Sequence, residues 1–101
     1  MRLVWTEPVR LDLREIFTYI AQENPNAAKR LLAEIKEKVI LLQDNPMLGR
    51  SGRVDGTREL VITGTQYILP YRINNGQIQI LAAFHCARQW PDKFNDLKNP
   101  E

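Results

Sequence analysis

Tyr67-Ile68-Leu69-Pro70-Tyr71-Arg72-Ile73-Asn74-Asn75-Gly76-Gln77-Ile78-Gln79-Ile80-Leu81-Ala82-Ala83-Phe84 reads as two strands joined by a tight turn. Asn and Gly tolerate positive φ, so Asn74-Asn75-Gly76 is a strong hairpin signal. Tyr67 to Ile73 is rich in strand-favouring residues. Pro70 has no N–H to give to a ladder, which marks an edge or a bulge. Gln77 to Phe84 first alternates polar and apolar residues and then becomes continuously apolar. A strand of that kind is buried on both faces at its apolar end, so it belongs inside a sheet.

Working outward, Gly56 to Ile62 is a further strand, closed by a turn at Thr63-Gly64-Thr65, and Met47 to Gly52 is a turn-rich loop. Before Pro46 the period changes from two to helical. Val9, Leu13, Ile16, Phe17 and Ile20 place a helix over Pro8 to Gln22, with Thr6 as its cap. Asn24-Pro25 restarts the chain, and Ala28, Leu32, Ile35, Val39 and Leu42 carry a second helix from Pro25 to Gln43. So short a link makes the pair an antiparallel hairpin. Arg2 to Trp5 is a short first strand. The order β-α-α-β-β-β implies an α+β fold: a helical hairpin packed on a small, mostly antiparallel sheet, with the first strand joining edge-on. Residues 1–101 form one domain, with 91–101 peripheral; Trp90 and Phe94 anchor the tail, and Asp92 to Leu97 has room for one or two helical turns.

Length and composition narrow the function. At 101 residues and 11.7 kDa, with 44% hydrophobic and 26% charged residues, the chain is an ordinary globular domain. No apolar run is long enough to cross a bilayer, and the N-terminus has no secretory signal. One cysteine, Cys86, excludes an internal disulfide and fits the cytoplasm. One histidine and one cysteine make a protein-built metal site improbable, and no motif calls for a cofactor. The net charge of +2 is uneven. Residues 1–46 are neutral, with seven basic and seven acidic side chains. Residues 50–90 carry Arg50, Arg53, Arg58, Arg72 and Arg88 against Asp55 and Glu59, and contain no lysine. Arginine binds phosphate or carboxylate as a planar fork, so this half is a candidate face for an anionic partner; the alternative is a set of solvated strand residues.

The chemistry-bearing residues are few. There is no CxxC, no HExxH and no phosphate-binding glycine loop, and the single serine, Ser51, lies in a loop. His85 and Cys86 are neighbours in an extended segment and point to opposite faces, which argues against a dyad. His85 follows the apolar strand and is either a proton-transfer group or a structural histidine. Arg58, Arg72 and Arg88 offer a phosphate clamp; alternatively Arg72 pairs with Glu59 across the hairpin. Tyr67 and Tyr71 either stack on bases or sit half-buried in the sheet.

Over residues 3–91 the chain resembles the RelE/ParE superfamily, the toxins of type II toxin–antitoxin modules (plasmid stabilisation systems). The resemblance is carried by Val4-Trp5-Thr6 and Leu13-x-x-Ile16-x-x-Tyr19-Ile20, by Asn24-Pro25-x-Ala27-Ala28 and by Asn45-Pro46-x-Leu48-Gly49-Arg50. Arg58-Glu59-Leu60, Tyr67-Ile68-Leu69-Pro70-Tyr71-Arg72-Ile73, Ile78-x-Ile80-Leu81 and Phe84-His85-x-Ala87-Arg88 complete it. It implies a growth inhibitor neutralised by a cognate antitoxin in a hetero-oligomer.

Two branches follow. ParE-like members bind DNA gyrase, whereas RelE-like members are metal-independent, ribosome-dependent mRNA endonucleases. In the nuclease branch an arginine commonly follows the tyrosine matched by Tyr67; here Ile68 stands there, and no tyrosine follows Tyr71. The ending from Phe84 to Arg88 also looks ParE-like, so the resemblance leans to gyrase. For a nuclease, His85 would move the proton while Arg58 and Arg88 stabilise charge. Otherwise Arg50, Arg53, Arg58, Arg72, Arg88, Tyr67 and Tyr71 would contact the antitoxin or the target. A third reading is a repurposed member that only binds.

Overall fold

A computed structural model describes residues 1–86 of the chain. The elements are β1 (Arg2–Trp5), α1 (Glu7–Ala21), α2 (Pro25–Ile40), a 3-10 turn (Leu41–Gln43), β2 (Arg50–Ser51), β3 (Arg58–Val61), β4 (Tyr67–Asn74), β5 (Gln77–Ile80) and β6 (Phe84–His85). The hairpin expected from Asn74-Asn75-Gly76 forms between β4 and β5. Asn75 and Gly76 both adopt positive φ, 51° and 74°, as a two-residue turn of that hand requires. Asn74 then faces Gln77 and Tyr71 faces Ile80.

The sheet runs β1-β5-β4-β3-β2, with β6 also paired to β4. All pairs are antiparallel except β1 with β5, where Leu3 lies opposite Ile78 and Trp5 opposite Ile80. The first strand thus joins at the edge, as its position in the chain suggests.

β4 is not an edge strand, so Pro70 survives by the other route. Tyr71 pairs with Ile80 and Ile68 with Phe84, leaving Leu81, Ala82 and Ala83 opposite only Leu69 and Pro70. That extra residue is a bulge, and it divides the single strand expected from Gln77 to Phe84 into β5 and β6. The Pro70 carbonyl accepts from the Leu81 N–H at 2.9 Å. In an extended chain the N–H and C=O of one residue point to the same side. The donor that proline lacks would therefore face the bulge, where the ladder is already interrupted. The freed Ala83 N–H donates to the Asp12 carboxylate of α1 at 3.0 Å.

The helices follow their apolar spacing with small shifts. Thr6 stands at the N-cap of α1, but its hydroxyl does not cap the helix; it donates to the Ile80 carbonyl at 2.6 Å and ties the start of α1 to β5. Asn24 does cap α2, its side chain accepting from the Ala27 N–H at 3.1 Å. The last turn expected of α2 tightens into the 3-10 turn. One face of the hairpin, with Val9, Ile35, Val39 and Leu42, meets Leu60, Leu69, Tyr71, Ile78 and Ile80 of the sheet. Each fully buried aliphatic side chain here contributes about 1.5–3 kcal/mol relative to exposure.

The turn-rich loop contains β2, and it is closed over the core by Tyr71. The Tyr71 hydroxyl donates to the Pro46 carbonyl at 2.7 Å and accepts from the Gly49 N–H at 2.8 Å. A Cβ on residue 49 would lie 2.6 Å from the Tyr71 ring and 2.8 Å from the Glu59 carbonyl, so only glycine fits.

Candidate functional site

Strand alternation sorts the candidate residues onto two faces, because residues paired across a sheet share a face and successive residues do not. Arg58 lies opposite Tyr71, and His85 opposite Tyr67, so both are on the helix face. They flank β4 four residues apart, about 13 Å along the strand. Arg72 lies opposite Gln79, on the face turned away from the helices. Of the clamp expected from Arg58, Arg72 and Arg88, the two described members therefore lie on opposite faces, and His85 stands apart from both. Arg88 lies outside the described residues, as do Trp90, Phe94 and the expected turn at Asp92 to Leu97.

The pairing of Arg72 with Glu59 does not occur either. Arg72 Nε donates to Gln79 Oε1 at 2.6 Å. Glu59, only 2% exposed, is held from both sides by arginines. Arg50 donates through Nε and Nη2 to Oε1 at 3.1 and 3.0 Å. Arg53 donates its backbone N–H at 2.8 Å and its Nε at 3.1 Å to Oε2. Burial opposes charge on Glu59, but the Arg53 backbone N–H and the two guanidinium groups prevail and hold the carboxyl below its usual range. Arg50 and Arg53 thus fasten the loop while roughly half of each side chain stays exposed. Glu59 faces Pro70, so this cluster and Arg72 share the face away from the helices.

Tyr71 cannot stack on a base, because it is wholly buried. Burial pushes its phenol pKa up, against the Gly49 hydrogen bond and the nearby Arg58 cation. Arg58 itself keeps a buried Nε with no hydrogen-bond partner among the described residues.

Tyr67 and His85 do come together, their rings 5.6 Å apart and nearly perpendicular at 85°. They line a cleft of about 280 Å³ with Glu15, Ile16, Tyr19 and Ala83. Burial, and Tyr19 nearby, raise the Tyr67 phenol pKa. Apart from His85 itself, no basic side chain among the described residues lines this cleft. Glu15 and Tyr19 were not singled out from the sequence. Their signal was there: they lie i, i+4 on α1 and off its buried stripe. Ile68 points away from the cleft and is buried. Among the described residues no group of acidic, His or Cys side chains could hold a metal ion, and no helix is long and apolar enough to cross a membrane.

Comparison with known proteins adds three findings. Residues 3–90 match the family model for the ParE toxin of type II toxin–antitoxin system, parDE. The toxin candidate Y4kP of Sinorhizobium fredii (strain NBRC 101917 / NGR234) is 42% identical over 90 residues, covering 89% of this chain and 93% of that protein. A chain of the chromosomal ParDE toxin–antitoxin system from P. aeruginosa superposes with a TM-score of 0.78 at 30% identity, covering 84% of this chain and 95% of that one.

Proposed function

Because the chain belongs to the ParE toxin family of type II toxin–antitoxin systems, we propose that it is held silent by a cognate antitoxin and, once free, inhibits DNA gyrase by binding it in the cytoplasm. The observation that carries this choice of mechanism is the separation of Arg58 from His85, the two described members of the catalytic set His85, Arg58 and Arg88. Metal-free RNA cleavage needs cations around the scissile phosphate and a proton-transfer group within hydrogen-bond reach. Here Arg58 lies far along the sheet from His85, and Arg72 is on the other face. The cleft beside His85 instead presents the Glu15 carboxylate, which repels phosphate. Binding asks less of the geometry: a shaped surface with charge and exposed apolar side chains. Arg50 and Arg53 supply the charge, and Leu41, Leu48 and Val61, all partly exposed, border the same groove as Arg50. An acidic, amphipathic antitoxin segment would cover such a surface.

The test pairs two assays on the purified toxin. One follows gyrase-catalysed supercoiling; the other follows mRNA cleavage on programmed ribosomes. Supercoiling falls with toxin concentration, transcripts stay intact, and addition of antitoxin restores gyrase. In cells induced without antitoxin, thymidine incorporation falls before methionine incorporation. Ribosome-dependent cleavage with unaffected supercoiling would overturn the reading in favour of the nuclease.

A further inference from the structure

The cleft at the end of β4 has a composition that neither gyrase inhibition nor the fold accounts for. Two phenol rings, Tyr19 and Tyr67, and the His85 imidazole converge on about 280 Å³ of space, with the Glu15 carboxylate on the wall. The Tyr67 and His85 rings stand edge to face, 5.6 Å apart, and both line this space. Tyr19 is 75% exposed, although a tyrosine on a helix beside a sheet has apolar surface to hide. Glu15 and Tyr19 also line a second groove along α1 with Leu11, Arg14, Thr18 and Gln22, so the two spaces adjoin at these side chains.

Aromatic faces are negative at the centre, and rings grouped around a space attract a cation. A carboxylate at the same point adds charge attraction. It also disfavours the competing occupant, a nucleotide, whose phosphate it would repel. We propose that this cleft is a cation-accepting pocket for a lysine or arginine side chain presented by a protein partner. The partner's chain would lie along α1, with apolar contacts at the half-exposed Leu11. The chemistry is complementary to that of the arginine-rich half. That half takes acidic groups, while this pocket takes a basic one, so a docked segment is oriented by its own charge order. The pocket stands whether the toxin's target is gyrase or the ribosome.

The experiment is a titration of the full chain, followed by NMR through the ring signals of Tyr19, Tyr67 and His85. The probes are Nα-acetyl-arginine amide and Nα-acetyl-lysine amide, with the citrulline derivative as the neutral isostere and adenosine monophosphate as the nucleotide. Both cationic probes shift all three rings saturably, and the other two leave them in place. Tyr19→Leu keeps the apolar body and removes the π face; it weakens the cationic probes by about two- to five-fold, the size of an exposed cation–π contact. Glu15→Gln weakens them to a similar degree and does so less at high salt. As Tyr19 and Glu15 are exposed, both variants fold, which unchanged amide spectra away from α1 verify. Equal shifts from citrulline, a stronger response to the nucleotide, or no loss in either variant would overturn the proposal.

Discussion

Glu59 shows how one residue sets a loop. Its carboxylate accepts from the Arg50 and Arg53 guanidinium groups and from a backbone N–H, while almost fully withdrawn from water. Glu59→Gln leaves an amide that can satisfy only one side and turns an NH2 group toward an arginine. The expected loss is about 1–3 kcal/mol, the cost of breaking a buried charge-assisted contact, discounted here because both arginines are half exposed. The carboxyl pKa is depressed in the folded state. Its contribution is therefore full above the unfolded glutamate value of about 4.3 and is lost as pH falls through the lower folded value. Denaturant titrations from pH 7 to pH 3 should show the wild type losing stability on the acid side more steeply than Glu59→Gln. Parallel curves would mean that Glu59 does not hold the loop electrostatically. The sequence shows the charges and allows an Arg72–Glu59 pair as one of two alternatives, but the guanidinium groups on Glu59 are those of Arg50 and Arg53. Arg72 is near it in the hairpin, whereas the true partners come from a loop whose path no periodicity reveals.

At the scale of elements, the bulge opposite Pro70 divides what was legible from what was not. The turn at Asn75 and Gly76, the Asn24 cap and the helix faces follow from local chemistry and appear where the residues place them, whereas Thr6 gives its hydroxyl to the Ile80 carbonyl instead of capping α1. Proline in a strand signalled a bulge or an edge; only the tertiary pairing decides between them. The partner of the bulge was invisible, since Asp12 looked like one more polar residue on α1. It accepts the Ala83 N–H that the interrupted ladder releases. Asp12→Ala removes that acceptor and leaves the amide without it, at an expected cost of about 1–3 kcal/mol. Asp12→Asn keeps a neutral acceptor and should cost less. Hydrogen exchange at Ala83 is the local check: protection falls in Asp12→Ala and largely returns in Asp12→Asn. Unchanged protection would assign the bulge's stability to the apolar packing of Leu81 and Ala82 alone.

For the molecule as a whole, the two faces of the sheet separate side chains that the sequence leaves grouped. Read along the chain, Arg58 and Arg72 look like members of one clamp with Arg88, because the sequence does not show the cross-strand register that puts Arg58 and Arg72 on opposite faces. In the fold His85 belongs with Tyr67, Tyr19 and Glu15, and Arg72 with the arginines around Glu59. This yields a quantitative contrast. If His85 moved a proton in RNA cleavage, His85→Gln would lower the rate by about 10²–10⁴-fold, enough to abolish growth inhibition at ordinary expression. If the toxin acts by binding, the same substitution removes one ring from a partly exposed cleft and changes affinity by only about two- to five-fold. Inhibition curves for gyrase, and colony counts against inducer at matched toxin abundance, should therefore shift slightly for His85→Gln and keep their shape. A collapse of toxicity with the protein still folded would show that His85 does chemistry, and the cleft around it would have to be read as an active site.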